Sequence, residues 1–133
     1  MQEVTHFLAD NSTVFLATQD NGRARVRPFQ FQFEDRGRLW FCTAKSKETY
    51  AQLRQDPRLE LCALSPDMAT LRLLGEAVLD DDLAVKQRII AGNALVRSVY
   101  GSADNPDFTT FSVDHGTAYQ FDFSGRPPKT WTF

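Results

Sequence analysis

Apolar residues alternate with polar ones at two-residue spacing along most of the chain, and fall at helical spacing in only a few stretches. In residues 2–10, Val4, Phe7 and Leu8 recur at three and four residues and Asp10-Asn11-Ser12 follows, which predicts a short amphipathic helix. TVFLATQ (13–19) is β-branched and aromatic, and Asp20-Asn21-Gly22 behind it suits a tight hairpin turn. From Arg23 to Glu34 the pattern changes parity. Ala24 and Val26 alternate with arginines before Pro28, whereas Phe29, Phe31 and Phe33 alternate with glutamines after it. A straight strand would turn its core face outward there, so a bulge or sharp bend is expected at Pro28. Asp35-Arg36-Gly37-Arg38 reads as the next turn. LWFCTA (39–44) has so little alternation that a strand covered on both faces is expected.

Ser46 is the expected N-cap of a helix over about 47–55 that stops at Asp56-Pro57. LELCAL (59–64) and ATLRLLGEAVL (69–79) follow as strands, the second interrupted at Gly75, where a bulge or close backbone approach is expected. Asp80, Asp81 and Asp82 open a helix carried by Leu83, Val85, Ile89 and Ile90 and closed by Gly92-Asn93. ALVRSVYG (94–101) fits a short strand or a helix, and 102–107 reads as a loop. FTTFSVD (108–114), a His115-Gly116 turn and TAYQFDFSG (117–125) make a last hairpin, with Tyr119, Phe121 and Phe123 on one side. The tail RPPKTWTF is stiffened by two prolines and ends in aromatics, so it is expected to dock, over a barrel opening, on a partner subunit or against a planar ligand. The pattern predicts one mainly β domain over residues 1–133, a six- or seven-stranded antiparallel barrel with two or three short helices.

The 133 residues suffice for a single core without crosslinks. With 15 basic and 17 acidic side chains there is no field of one sign, so nucleic acid is not an expected partner. The apolar runs fall far short of the roughly 20 residues that span a bilayer, and the N-terminus carries no signal-peptide pattern, so a cytoplasmic protein without a membrane segment is expected. Eleven phenylalanines against three tyrosines suggest flat apolar walls, in a small barrel or at a dimer interface. Cys42 and Cys62 lie within strand patterns as small buried hydrophobes. His6 and His115 have no carboxylate at metal-ligand spacing, and no metal site is expected. No hydrolase elbow, Walker loop or Rossmann fingerprint is present, and no residue is assigned as catalytic.

Thr43, Lys45, Ser46 and Lys47 stand at a strand-to-helix junction, where helix N–H groups, hydroxyls and ammonium groups complement a phosphate. Arg25 and Arg27 on a neighbouring strand would add forked donors. The bland alternative is a solvated basic face with a capping serine.

The order of TVFLAT, a glycine turn, RVRPF, GRLWFCT, KSK with its helix to Asp56-Pro57, LELCAL and LRLLGEAVLDDD resembles the FMN-binding split-barrel proteins related to pyridoxamine 5'-phosphate oxidase, from about Val4 to Phe123. The likeness is to the small FMN-binding or flavin reductase-like members. The chain is shorter than the full oxidases and lacks their C-terminal Arg and His pattern, so oxidation of pyridoxamine phosphate itself is not expected. The resemblance implies a split β-barrel, a homodimer with two FMN sites at its interface, and an oxidoreductase or electron carrier, with a nicotinamide among the candidate donors. It also implies that Arg25, Val26, Arg27, Pro28 and Phe29 line the flavin, with Thr43 near the ribityl-phosphate, Lys45, Ser46 and Lys47 on the phosphate, and Cys42 among the cofactor-binding residues. A backbone N–H at Phe29 or Gln30 would face flavin N5, Arg25 or Lys129 would lie near N1, and Trp131 would shield the ring. The competing class is a non-redox binder of haem, a deazaflavin or another phosphorylated ligand on the same fold.

Overall fold

A computed structural model describes all residues 1–133. In chain order the elements are α1 (Gln2–Asp10), β1 (Thr13–Asp20), β2 (Arg23–Gln30), β3 (Phe33–Asp35), β4 (Arg38–Ala44), α2 (Glu48–Gln55), β5 (Arg58–Leu64), β6 (Thr70–Glu76), β7 (Val78–Leu79), α3 (Leu83–Gly92), α4 (Ala94–Tyr100), β8 (Phe108–Val113), β9 (Gly116–Phe121) and β10 (Lys129–Thr132). Two antiparallel sheets form a split β-barrel. One has the order β10-β9-β6-β5-β1-β2 and the other β3-β4-β8-β7. Seven strands have six residues or more, matching the pattern-derived strands, and β3, β7 and β10 are short additions. The helices number four because ALVRSVY winds into α4.

The hairpin turns are set by local chemistry. Asn21 and Gly22 take φ of 51° and 82°, and Arg36 and Gly37 take 53° and 77°, the left-handed pairs that join two twisted strands tightly. The chain passes between sheets at Phe31-Gln32 and at Ala77, whose N–H donates to Pro57 O at 2.8 Å. Gly75 is where β6 meets the turn after β8. A Cβ there would sit 2.7 Å from Val113 Cγ1 and 2.9 Å from His115 O, so the expected close approach is real.

Leu16, Leu61, Leu73, Phe41 and Phe111 fill the space between the sheets. A second cluster of Trp40, Val85, Ile89, Val96 and Phe108 lies on the other side of β4 and β8, under α3 and α4. Leu39 and Phe41 therefore face one core and Trp40 the other, which explains the weak alternation of β4. All six residues of β8 are buried for the same reason.

Two sequence expectations need correction. No bulge interrupts β2 at Pro28, because the pairing with β1 runs unbroken from Asp20↔Arg23 to Thr13↔Gln30. The inward and outward alternation of the backbone stays constant, and only the side that carries the apolar residues changes. Arg25, Arg27 and Phe29 share the inner side with Thr18, Leu16 and Val14, while Val26 and Pro28 lie on the outer side with Ala17 and Phe15. Val26 is 68% exposed, so the apolar residues before Pro28 were never core. The break falls at Phe31-Gln32 instead. Nor does Ser46 cap α2, which starts one residue later with Lys47 at its N-cap and no side-chain cap bond. The Ser46 hydroxyl is committed to Asp107.

The outer side of the six-stranded sheet is unusually apolar. Pro28, Phe15, Cys62, Arg72 and Tyr119 form one row across five strands, and Leu64, Leu74 and Phe121 add to it. Phe15 is 50% exposed, and Leu64, Leu74, Tyr119 and Phe121 are also exposed. The Arg72–Glu60 ion pair at 2.6 Å neutralises the charge within this face. No helix is long and apolar enough to cross a membrane.

Candidate functional site

The open edge of β2, the β4–α2 junction and α4 come together around a groove of about 190 Å³. It is lined by Pro28, Phe29 and Gln30 of β2, by Cys42 and Lys47 of the β4–α2 junction, and by Leu95, Val99 and Tyr100 of α4. Each position has a local cause. β2 has only β1 as a neighbour, and Phe31 N–H donates to Ser12 O at 2.8 Å. Ladder alternation then turns the Pro28 nitrogen and the Gln30 N–H to the unpaired edge. Leu95 and Val99, one helical turn apart on α4, are exposed although apolar. Tyr100 is held by stacking on Phe108, with ring centroids 4.7 Å apart.

Lys47 is exposed and makes no ion pair within 4.0 Å, which leaves its ammonium free at the groove. Cys42 lies under the groove, and burial pushes its thiol up to about 12 despite the pull of Lys47 toward ionisation. It is not a nucleophile in this setting. Arg27 reaches inward from β2. Its Nη1 donates to Thr18 Oγ1 at 2.7 Å, its Nη2 donates to Gln52 Oε1, and the Thr18 hydroxyl donates to the same Gln52 oxygen at 2.6 Å. Desolvation lowers the Arg27 pKa, opposed by Glu48 and reinforced by Arg25. Thr43 is buried, and its Oγ1 has no partner.

The remaining sequence candidates are engaged elsewhere. Ser46 donates through N–H and Oγ to the Asp107 carboxylate at 2.8 and 2.7 Å, and Lys45 N–H donates to Asp107 O at 2.8 Å. The Lys45 ammonium pairs with Asp81 at 3.2 Å. Asp81 also meets Lys86 at 2.6 Å, and that bond, with the one from Lys45, holds its carboxyl below the usual range. Arg25 pairs with Asp20 at 3.1 Å, and Val26 points to the outer sheet face. Lys129 pairs with Glu3 at 3.1 Å. Trp131 packs on the main core from β10, the sheet edge opposite β2. His6 lies on α1, and His115 stands in the β8–β9 turn beside Asp114 and Glu76.

The donor set thus fits a flat ligand with an anionic tail in part: apolar walls, the free Lys47 cation and the unpaired Gln30 N–H, whereas Thr43 lies on the face of β4 opposite Cys42 and does not line the groove. Ser46 fits only where Asp107 gives way. Sequence reasoning left 94–101 open between a strand and a helix, because an eight-residue stretch with Val at two positions gives no clear period, and the structure makes it the helix α4. Sequence reasoning missed Gln32 and Gln52, for which the sequence carries no signal.

A family model described as pyridoxamine 5'-phosphate oxidase matches residues 1–122. The chain belongs to this family. Several proteins of known structure share its fold. A NimC/NimA family protein from Clostridium acetobutylicum superposes with a TM-score of 0.92 at 27% identity, covering 100% of this chain and 92% of that one. A pyridoxamine 5'-phosphate oxidase-related, FMN-binding protein from Nostoc punctiforme gives 0.79 at 22%, covering 98% and 88%. A haem-binding protein from Mycobacterium smegmatis gives 0.80 at 19%, covering 98% of this chain but 56% of that one. No curated protein matches the sequence.

Proposed function

We propose that the chain binds FMN in the groove between β2, β4 and α4 and works as a flavin-dependent oxidoreductase or electron carrier. The observation that carries this reading is the unpaired Lys47 ammonium at the end of an apolar-walled groove whose β2 edge offers an unused N–H at Gln30, in a chain of this family. Bound FMN supplies a ring that takes up and returns a hydride or single electrons. Lys47 would bind the phosphate, with Arg27 adding positive potential from beneath. Pro28, Leu95 and Val99 would exclude water from the ring, and the Gln30 N–H would orient it. A nicotinamide is the donor to test first.

The same reading makes the active form a homodimer. The exposed row of Phe15, Pro28 and Tyr119 on the outer sheet face is of the kind that two copies cover. A second subunit would also supply groups to a groove that is shallow in one chain.

The visible absorption spectrum of protein purified with and without added FMN tests the proposal. Flavin bands retained at one per subunit, lost in Lys47→Ala and bleached by NADH or NADPH, are expected. A preparation that retains no flavin overturns the reading, and a Soret band would replace it with haem binding. Sedimentation velocity should show a dimer that Phe15→Asp dissociates.

A further inference from the structure

Asn93 alone separates α3 from α4, and its bonds determine which way a groove residue faces. Its backbone N–H closes α3 by donating to Ile89 O at 2.9 Å. Its side-chain Oδ1 opens α4 by accepting from Val96 N–H at 3.1 Å. A backbone N–H can only donate, so the Asn93 atom facing Val96 is the oxygen and Nδ2 points the other way. There Nδ2 donates to Gln30 Oε1 at 2.8 Å and to Gln32 Oε1 at 3.1 Å. Its two protons serve one glutamine oxygen each. Gln32 Nε2 then donates to the Gln30 carbonyl at 3.3 Å. Gln30 Nε2 is bonded to no protein atom, on a residue that lines the groove and also borders a neighbouring cavity of about 400 Å³ shared with Gln32 and Asn93. The assignment of all three amides therefore follows from one helix-start N–H.

We propose that Asn93 is a positioning residue that fixes the Gln30 side chain with its NH2, not its carbonyl, offered to the ligand groove. Together with the Gln30 backbone N–H on the open β2 edge, one residue then presents two kinds of donor. The groove selects ligands whose edge is made of acceptors, carbonyl oxygens and unprotonated ring nitrogens, and rejects an edge of N–H donors. The inference rests on the reading that this groove holds the ligand, while the orientation of the amide rests on the hydrogen bonds alone.

Three substitutions separate capping from orientation. Asn93→Asp and Asn93→Ser keep an oxygen for Val96 N–H but lose the NH2 that holds the glutamines, and Asn93→Ala loses both. Thermal midpoints of Asp and Ser variants should stay near wild type, with Ala lower. In isotope-labelled protein without FMN, the Gln30 and Gln32 side-chain amide resonances should move in both the Asp and Ser variants. FMN binding, followed by flavin fluorescence, should weaken about tenfold in Asn93→Ser, as for the loss of one well-oriented hydrogen bond. It should weaken further in Asn93→Asp, whose carboxylate draws the Gln30 NH2 to itself and leaves the carbonyl facing the groove. Unmoved Gln30 amide resonances in Asn93→Asp overturn the proposal, as do FMN dissociation constants that agree within about twofold across wild type, Ser and Asp. If wild type binds no FMN, the reading of the groove fails, and the amide resonances still decide what Asn93 does.

Discussion

Cys42 gives the sharpest test of the groove's electrostatics, because its thiol titrates near 9 when free and is pushed up to about 12 by burial. The folded chain keeps a proton that the unfolded chain releases. Below about pH 9 both states are protonated and the group has no effect. Above it, stability falls by about 1.4 kcal/mol per pH unit until the folded thiol also ionises. Between about pH 8.5 and 10.5 the loss amounts to roughly 2 kcal/mol. Cys42→Ala removes a half-buried sulfur, which costs about 1 kcal/mol at neutral pH, but it also removes this alkaline slope. Urea unfolding followed by circular dichroism should therefore show the variant less stable than wild type near pH 8 and at least as stable near pH 10.5. The shift of Cys62, raised by burial, is common to the two proteins and cancels in the difference, whereas Tyr100, raised by burial and then by the neighbouring Cys42, loses the Cys42 contribution in the variant. Stability curves that stay parallel over this range would show that the Cys42 site is wetter than the packing implies.

Gly75→Ala should lower the melting temperature by several degrees, since its Cβ would meet Val113 Cγ1 and the His115 carbonyl, an overpacking cost of about 1–3 kcal/mol. Gly92→Ala, with nothing within 4 Å, should leave it unchanged or slightly raised; calorimetry of the pair checks the sign. Asp107→Ala frees both Ser46 donors at a cost of about 1 kcal/mol, read by chemical unfolding. If Ser46 also grips phosphate, this variant binds FMN more tightly, whereas equal affinity would remove Ser46 from the site.

The long strands and their turns were legible because inward residues such as Leu16, Leu61 and Leu73 alternate with outward ones and the left-handed turn positions fall on Asn21-Gly22 and Arg36-Gly37. Legibility failed where an apolar residue faces outward. Val26 reads as core in any periodicity argument, and only the register with Ala17 shows that it belongs to the exposed sheet face. Of the basic cluster, Lys47 lines the groove, whereas Lys45 and Ser46 are claimed by Asp81 and Asp107, 36 and 61 residues away in sequence. Such long-range competition leaves no trace in local spacing. The position of Trp131 was likewise decided by the pairing of β10 with β9, which no local pattern announces.

The unpaired edge of β2 has one more consequence, for colloidal behaviour. A bare strand edge is a template on which stray chains can add, and exposed edges of this kind seed aggregation. Here Pro28 sits in that edge with no proton to give, and Arg23, Arg25 and Arg27 crowd the same strand with charge. An incoming strand would find its hydrogen-bond ladder interrupted at Pro28 and would be repelled if basic. A small molecule would need only the single N–H at Gln30, so the features that refuse a fibril leave that one donor available.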